Sequence, residues 1–240
     1  MKLPGTGSAL AQLSAVGQRA LELLFPPRCL GCDTEGSYVC PECAASLPRL
    51  MPPFCHRCAR SIASGNLCGQ CANFALAVDG IRAPYLMEGT VQKAVHALKY
   101  RNLRAAAPTL ASLIVSWMEH NPVPGDTLVP VPLHNRRLRQ RGYNQSTLLA
   151  QEISRLTGMP VASEVLVRIR DTAPQVAMHG REERLRNVEG SFACSVSLAG
   201  QKLVLVDDVA TTGSTLSACA IALKARGAAS VWGLVLARQT

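Results

Sequence analysis

Aromatic side chains make up only 4% of these 240 residues, so a buried core has to be assembled mainly from Ala, Leu and Val. No run approaches the ~20 uninterrupted apolar residues of a membrane-spanning helix, which excludes an α-helical span. The first 24 residues are mildly apolar, but Gln12, Gln18, Arg19 and Glu22 interrupt them, and no compact apolar stretch leads to a small-residue cleavage site. The expectation is a cytoplasmic protein without a secretion signal. Low-complexity tracts are absent, and so are long repeats outside the cysteines, which excludes a disordered or fibrous chain. A Gly-Lys-Ser/Thr run is missing as well, which excludes a Walker-type phosphate loop.

Charge is present but unevenly placed. The formal net charge is +9. Residues 20–75 are neutral, with Arg28, Arg49, Arg57 and Arg60 set against Glu22, Asp33, Glu35 and Glu42; Lys2 and Arg19 precede them, and +7 falls after residue 75. An anion-binding surface therefore belongs to the C-terminal part. Such an excess suits nucleic acid and a pyrophosphate-bearing small molecule equally well.

Eight of the ten cysteines fall in four identical units: Cys29-x-x-Cys32, Cys40-x-x-Cys43, Cys55-x-x-Cys58 and Cys68-x-x-Cys71. A CxxC turn aims two thiolates at one point, and two such turns complete a tetrahedral Zn²⁺ site. A disulfide scaffold needs an oxidising compartment, and redox CxxC motifs usually occur singly after a strand, so two structural zinc sites are the better reading. Short gaps predict one site from Cys29, Cys32, Cys40 and Cys43 and a second from Cys55, Cys58, Cys68 and Cys71, with an interleaved pairing as the alternative. His56, inside the third knuckle, reads as a solvent-facing spacer. Large apolar residues are few here, so metal supplies much of the folding energy. Cys194 and Cys219 stand alone and read as buried apolar residues.

Beyond residue 75 the pattern alternates between helices and strands. Thr90 is placed to cap a helix whose apolar face is Val91, Ala94, Val95 and Leu98. Leu103 to Met118 reads as a helix with Leu110, Leu113, Ile114 and Trp117 inward. Thr127 to Val131 and Val161 to Val167 read as strands, and Asn144 to Leu156 as a helix stopped at Gly158. Leu203-Val204-Leu205-Val206 has the continuous apolar character of a strand buried on both faces of a parallel sheet. Ser214 to Arg226 reads as a helix ended by Gly227, and Ser230 to Leu236 as a last strand. The fold class is therefore α/β with a mostly parallel sheet flanked by helices. The predicted organisation is an N-terminal tail or helix (1–20), a double zinc ribbon (21–75) and an α/β domain (76–240).

In such sheets ligands bind at the carboxyl ends of the strands. There, Asp207 and Asp208 are followed by Ala210, Thr211, Thr212, Gly213, Ser214 and Thr215, a hydroxyl-rich turn opening a helix. A helix N-terminus favours an anion. Two carboxylates accept hydrogen bonds from a diol. The spacing fits ribose 5-phosphate, with the diol on Asp207 and Asp208 and the phosphate on residues 210–215. A second cluster, Pro132, Leu133, His134, Arg136, Arg137, Arg139 and Arg141, reads as an arginine-rich loop after a strand, suited to pyrophosphate or, alternatively, to nucleic acid. His134 and His179 lack an obvious carboxylate partner, so neither reads as a general base, and no catalytic residue is assigned.

The strand, acidic pair and Thr-Thr-Gly-Ser turn resemble the signature by which type I phosphoribosyltransferases bind 5-phosphoribosyl-1-pyrophosphate (PRPP). The Pro130-x-Pro132 to Arg141-Gly142-Tyr143-Asn144-Gln145 run resembles the ComF family, which includes competence and GntX proteins. So do Leu98-Lys99-Tyr100 and the Thr172…Phe192 segment, and with the cysteine-rich head the resemblance covers nearly all of the chain after about Leu21. It implies a hood over the site, near residues 171–190, with Tyr143, Asn144, Gln145, Gln175, Arg181 and Arg184 toward the acceptor or pyrophosphate, and Arg186 beside them. It implies Mg²⁺ arriving with PRPP and phosphoribosyl transfer to an unidentified nitrogen acceptor, a glycosyltransferase reaction. It also implies a link to DNA uptake, with single-stranded DNA and uptake proteins as partners. A non-catalytic phosphoribosyl- or DNA-binding adaptor is the competing reading.

Overall fold

The computed structural model describes residues 26–171 and 190–239. It divides into two compact units, Met1–Ser46 and Leu47–Thr240.

In the first unit a turn carries Cys29 and Cys32, closed by the Cys29 N–H on the Thr34 carbonyl (2.8 Å) and a bridge between Arg28 and Glu35. A short helix, α1 (Pro41–Ala45), follows, with Cys40 as its N-cap and Pro41 as its first residue. Proline there loses nothing, because that N–H has no intrahelical partner.

The second unit begins with a cysteine knuckle and the short helix α2 (Gly69–Asn73). It continues into β1 (Gly80–Arg82), β2 (Tyr85–Leu86) and α3 (Gly89–Tyr100). A 3₁₀ turn at Arg104–Ala106 leads into α4 (Ala107–Met118), then β3 (Thr127–Pro130), α5 (Asn135–Arg141) and α6 (Gln145–Thr157). β4 (Val167–Arg168) pairs antiparallel with β5 (Phe192–Ala193). β6 (Lys202–Ala210), α7 (Ser214–Lys224) and β7 (Ser230–Arg238) complete the fold.

The main sheet is parallel throughout, in the order β1-β7-β6-β3, with β2 pairing further along β7. β6 lies between β7 and β3, and Leu203, Val204, Leu205 and Val206 are each fully buried. Burying such a side chain contributes about 1.5–3 kcal/mol, so this tetrapeptide anchors the strand and fixes where its far end emerges. α6 packs on β3, β6 and α4, burying Leu149, Ala150 and Ile153. Its ends match the sequence expectation: Asn144 caps the Ser146 N–H, and Gly158 takes the left-handed C-terminal position.

Several local expectations are corrected. The helix cap at residue 88 is Glu88 in an extended conformation, so Thr90 lies inside α3. The segment from Leu103 is a 3₁₀ turn before α4, with Leu110 and Ile114 buried and Leu113 and Trp117 half-buried. Val161 makes a single parallel bridge to Leu128, and a turn at Ser163–Glu164 separates it from β4, so 161–167 is not one strand. The arginine-rich segment is a helix, α5, rather than a loop, because His134 caps it and Gly142 ends it in the left-handed region. Cys219 is buried as expected, whereas Cys194 is only half-buried.

Candidate functional site

The sequential cysteine pairing is the one observed. Within Cys29, Cys32, Cys40 and Cys43, and within Cys55, Cys58, Cys68 and Cys71, all four sulfurs lie inside 4.8 Å of one another. Cys32 and Cys40 approach to 3.6 Å and Cys58 and Cys68 to 3.7 Å. Tetrahedral ligands about 2.3 Å from Zn²⁺ stand roughly 3.8 Å apart, so both donor sets fit the metal. His56 is exposed and belongs to neither group. The second centre belongs to the hydrophobic core of its unit, in one cluster with Leu76, Val78 and Ile81.

At the carboxyl end of β6 the two acids lie within the strand, which runs on to Ala210. Asp208 is buried and pairs with Lys99 of α3, its Oδ2 2.9 Å from Nζ. Asp207 Oδ1 accepts from the Ser146 hydroxyl at the start of α6 (2.8 Å) and from the Asp208 N–H (2.9 Å). Burial and the neighbouring Asp208 push the Asp207 carboxyl up to about 7, against the opposing pull of Lys99 and Ser146. Burial works against the Lys99 charge, but Asp208 and Asp207 outweigh it and hold the ammonium above its ordinary range. Lys99 and Ser146 are not among the site residues that the sequence singles out. A signal for Lys99 exists: it follows the buried Val95 by four residues and so lies on the inward face of α3.

The turn after β6 is built around Gly213, which caps α7 at φ 79, a left-handed conformation that favours glycine. A Cβ there would lie 3.0 Å from both Ile81 and Leu76, so the turn is also packed from beneath. The Thr212 and Ser214 hydroxyls are buried and 2.6 Å apart, and the Ser214 N–H reaches Thr212 Oγ1 (3.3 Å). Thr211 and Thr215 are half-buried. Hydroxyls and the first N–H groups of an eleven-residue helix thus converge a few residues from two carboxylates.

The arginine-rich helix α5 borders a cavity of about 570 Å³ that Lys99, Tyr100, Arg137, Arg141 and Tyr143 help to line. Pro132, Leu133 and His134 lead into it, and His134 Nδ1 accepts from the Arg136 N–H (3.3 Å). His134 does meet a carboxylate: Asp171 lies 3.7 Å from it, 3.6 Å from Arg136 and 3.9 Å from Arg137. Tyr143 is buried, with its hydroxyl donating to the Leu98 carbonyl and the Arg104 guanidinium 4.5 Å over its ring. Asn144 bonds the Val131 carbonyl (2.9 Å), and buried Gln145 accepts from Arg141. Gln175, Arg181, Arg184 and Arg186, like His179, lie outside the described residues.

The family described as a double zinc ribbon domain matches residues 20–72, and the phosphoribosyl transferase domain matches residues 145–239. A DNA utilization protein YhgH from Salmonella typhimurium is 32% identical over 200 residues, covering 80% of this chain and 87% of that protein. The chain belongs to the ComF family. Within that family, Competence protein ComFC of Bacillus subtilis is 26% identical over 233 residues, 88% of this chain and 94% of the relative. DNA utilization protein YhgH of Salmonella typhi is 38% identical over 143 residues, 57% of this chain; the match spans 62% of that relative's length. The ComF chain described here thus carries a double zinc ribbon with two four-cysteine groups and a parallel-sheet domain of phosphoribosyltransferase type. Among the described residues, no helix is long and apolar enough to cross a membrane.

Proposed function

We propose that this protein binds a ribose 5-phosphate group, with PRPP and Mg²⁺ as its working ligand, and transfers the phosphoribosyl group to a nitrogen acceptor in the handling of DNA. The observation that carries this reading is one continuous piece of chain, β6 into α7, that brings two carboxylates and a hydroxyl-lined helix N-terminus together. Asp207 and Asp208 accept hydrogen bonds from the ribose diol, with Lys99 and Ser146 holding the acids in place. Residues 210–215 surround the 5′-phosphate. Arg137 and Arg141, on the cavity wall, face the pyrophosphate, and Arg136 extends the same positive field. Transfer forms a bond from the acceptor nitrogen to C1 of the ribose as the bond from C1 to the pyrophosphate oxygen breaks. The protein's part is to hold the ribose and to offset charge on the leaving group.

Among the described residues, no third group of three metal-ligating side chains accompanies the two four-cysteine centres. Mg²⁺ would be carried in by the ligand itself, where it would supply charge neutralisation on the pyrophosphate. The link to DNA comes from the relatives, named for DNA utilization and competence. A non-catalytic reading, in which the same cavity holds single-stranded DNA, draws on one feature: Tyr100 is 69% exposed beside Arg141, an aromatic face next to a cation.

Calorimetric titration of the zinc-loaded protein with PRPP and Mg²⁺ is the test. Saturable micromolar binding, weakened about 100-fold by Asp207→Asn with Asp208→Asn, is expected from the loss of two charged hydrogen-bond acceptors. Unchanged affinity in the double variant would remove the diol assignment, and absence of binding would remove the reading. Binding without pyrophosphate release toward any nitrogen base would favour the non-catalytic alternative.

A further inference from the structure

Arg238, the last residue of β7, is 1% exposed and is the largest fully buried side chain of the described residues. Nε donates to the Cys58 carbonyl (2.7 Å), and Nη2 lies 4.0 Å from the Cys58 sulfur. On its other edge, Nη1 donates to the Ala210 carbonyl (2.8 Å) and to those of Thr211 and Gln239. One planar fork therefore spans from a ligand residue of the second four-cysteine centre to the first two residues of the turn at 210–215.

Packing runs along the same line. The Ile81 N–H donates to the Arg57 carbonyl inside the knuckle (3.1 Å), and Arg57 itself bonds the Leu76 and Val78 carbonyls (3.2 and 3.1 Å). Leu76 and Ile81 are the side chains against which Gly213 closes. Charge supplies a further argument. A buried guanidinium bonded only to neutral carbonyls keeps its hydrogen bonds but lacks a counter-charge, a costly arrangement. Four thiolates around Zn²⁺ would carry two net negative charges, and one of them, Cys58 Sγ, lies 4.0 Å from Nη2.

We propose that Arg238 is a positioning residue that couples the second four-cysteine zinc centre to the phosphate turn, so that metal in one and a phosphorylated ligand in the other stabilise each other. The inference rests on the reading that the turn at 210–215 holds a ribose 5-phosphate group. Coupling of this kind is reciprocal: whatever the metal does for the ligand, the ligand does for the metal.

The experiment uses the full chain loaded with two zinc ions and D-ribose 5-phosphate as the probe. Calorimetry first establishes binding; a chromophoric chelator then withdraws zinc with and without saturating probe. Release of one of the two ions is expected to slow by roughly fivefold or more, within the usual range of coupling between sites, and release of the other to stay unchanged. Arg238→Lys keeps the charge but not the fork; it should retain zinc and circular dichroism, bind the probe roughly fivefold or more weakly, and abolish the slowing. Should the variant fail to fold, the wild-type comparison decides alone. Probe binding with both release rates unchanged overturns the coupling and leaves the proposed function standing. No probe binding overturns the proposed function and the coupling together.

Discussion

The two four-cysteine centres have the same ligands and the same CxxC geometry, yet they live in different surroundings. In each, the residue after the second cysteine of the first pair, Asp33 or Ala59, is forced into a left-handed conformation, so the local turn is repeated. Beyond that the centres part. In the first, Cys29 and Cys40 are buried, Cys43 is half-buried and Cys32 is exposed. In the second all four are buried and belong to the core that also holds Val129, Leu205 and Val235 of the sheet. Identical motifs thus make, in one place, a turn held by its metal and, in the other, part of the floor beneath a candidate ligand site.

The largest effect should come from the second centre. Cys55→Ser with Cys58→Ser removes two core ligands; the expected cost is on the order of 5 kcal/mol, because metal binding there is also folding energy. Thermal unfolding followed by circular dichroism should show the sheet domain losing its cooperative transition, and a normal transition would show that the centre is merely attached. Next in size is Gly213→Ala. Left-handed strain and the 3.0 Å approach of Leu76 and Ile81 should together cost about 1–3 kcal/mol, with weakened ribose 5-phosphate binding as the second readout.

A smaller effect concerns pH. The Asp207 carboxyl sits near 7, above its unfolded value, so its contribution to stability is present at low pH and is lost as pH rises through about 7. Stability of the ligand-free protein should therefore fall between pH 6 and 8 by on the order of 1 kcal/mol, and Asp207→Asn should flatten that slope in urea unfolding curves. An ionised Asp207 accepts from a diol through both oxygens and more strongly than the protonated acid, so ligand affinity relative to the Asn variant should rise over the same range. The smallest shift is expected from the first centre. Cys29→Ser with Cys32→Ser should lower zinc content by one equivalent while moving the transition of the Leu47–Thr240 unit by less than about 0.5 kcal/mol. A larger shift would erase the contrast between the centres.

Much of this is legible in the residues. The cysteine spacing specifies four CxxC turns, because such a turn is a local geometry that needs little else, and favours the sequential pairing over the interleaved one, a choice that the tertiary structure makes. The apolar run 203–206 announces a doubly buried strand, and Asn144 and Gly158 mark the ends of α6. The arginine-rich segment reads wrongly as a loop because its helix carries no apolar face: none of Asn135–Arg141 is buried, and the periodicity that reveals a helix is missing. Val161 to Val167 misleads for the opposite reason, since an apolar-rich stretch reads as a strand across the turn at Ser163–Glu164.

The residues in order along the chain were enough to establish the four CxxC pairs, the parallel α/β class and the acid-pair-to-hydroxyl turn, since each is read from short motifs or from the periodicity of single segments. Nothing local could reveal that Lys99 meets Asp208, that Ser146 meets Asp207, or that Arg238 reaches back to Cys58. Those contacts join residues between 61 and 180 positions apart. They exist only because parallel strands gather the ends of distant segments at one edge of the sheet, where burial makes each charge find a partner.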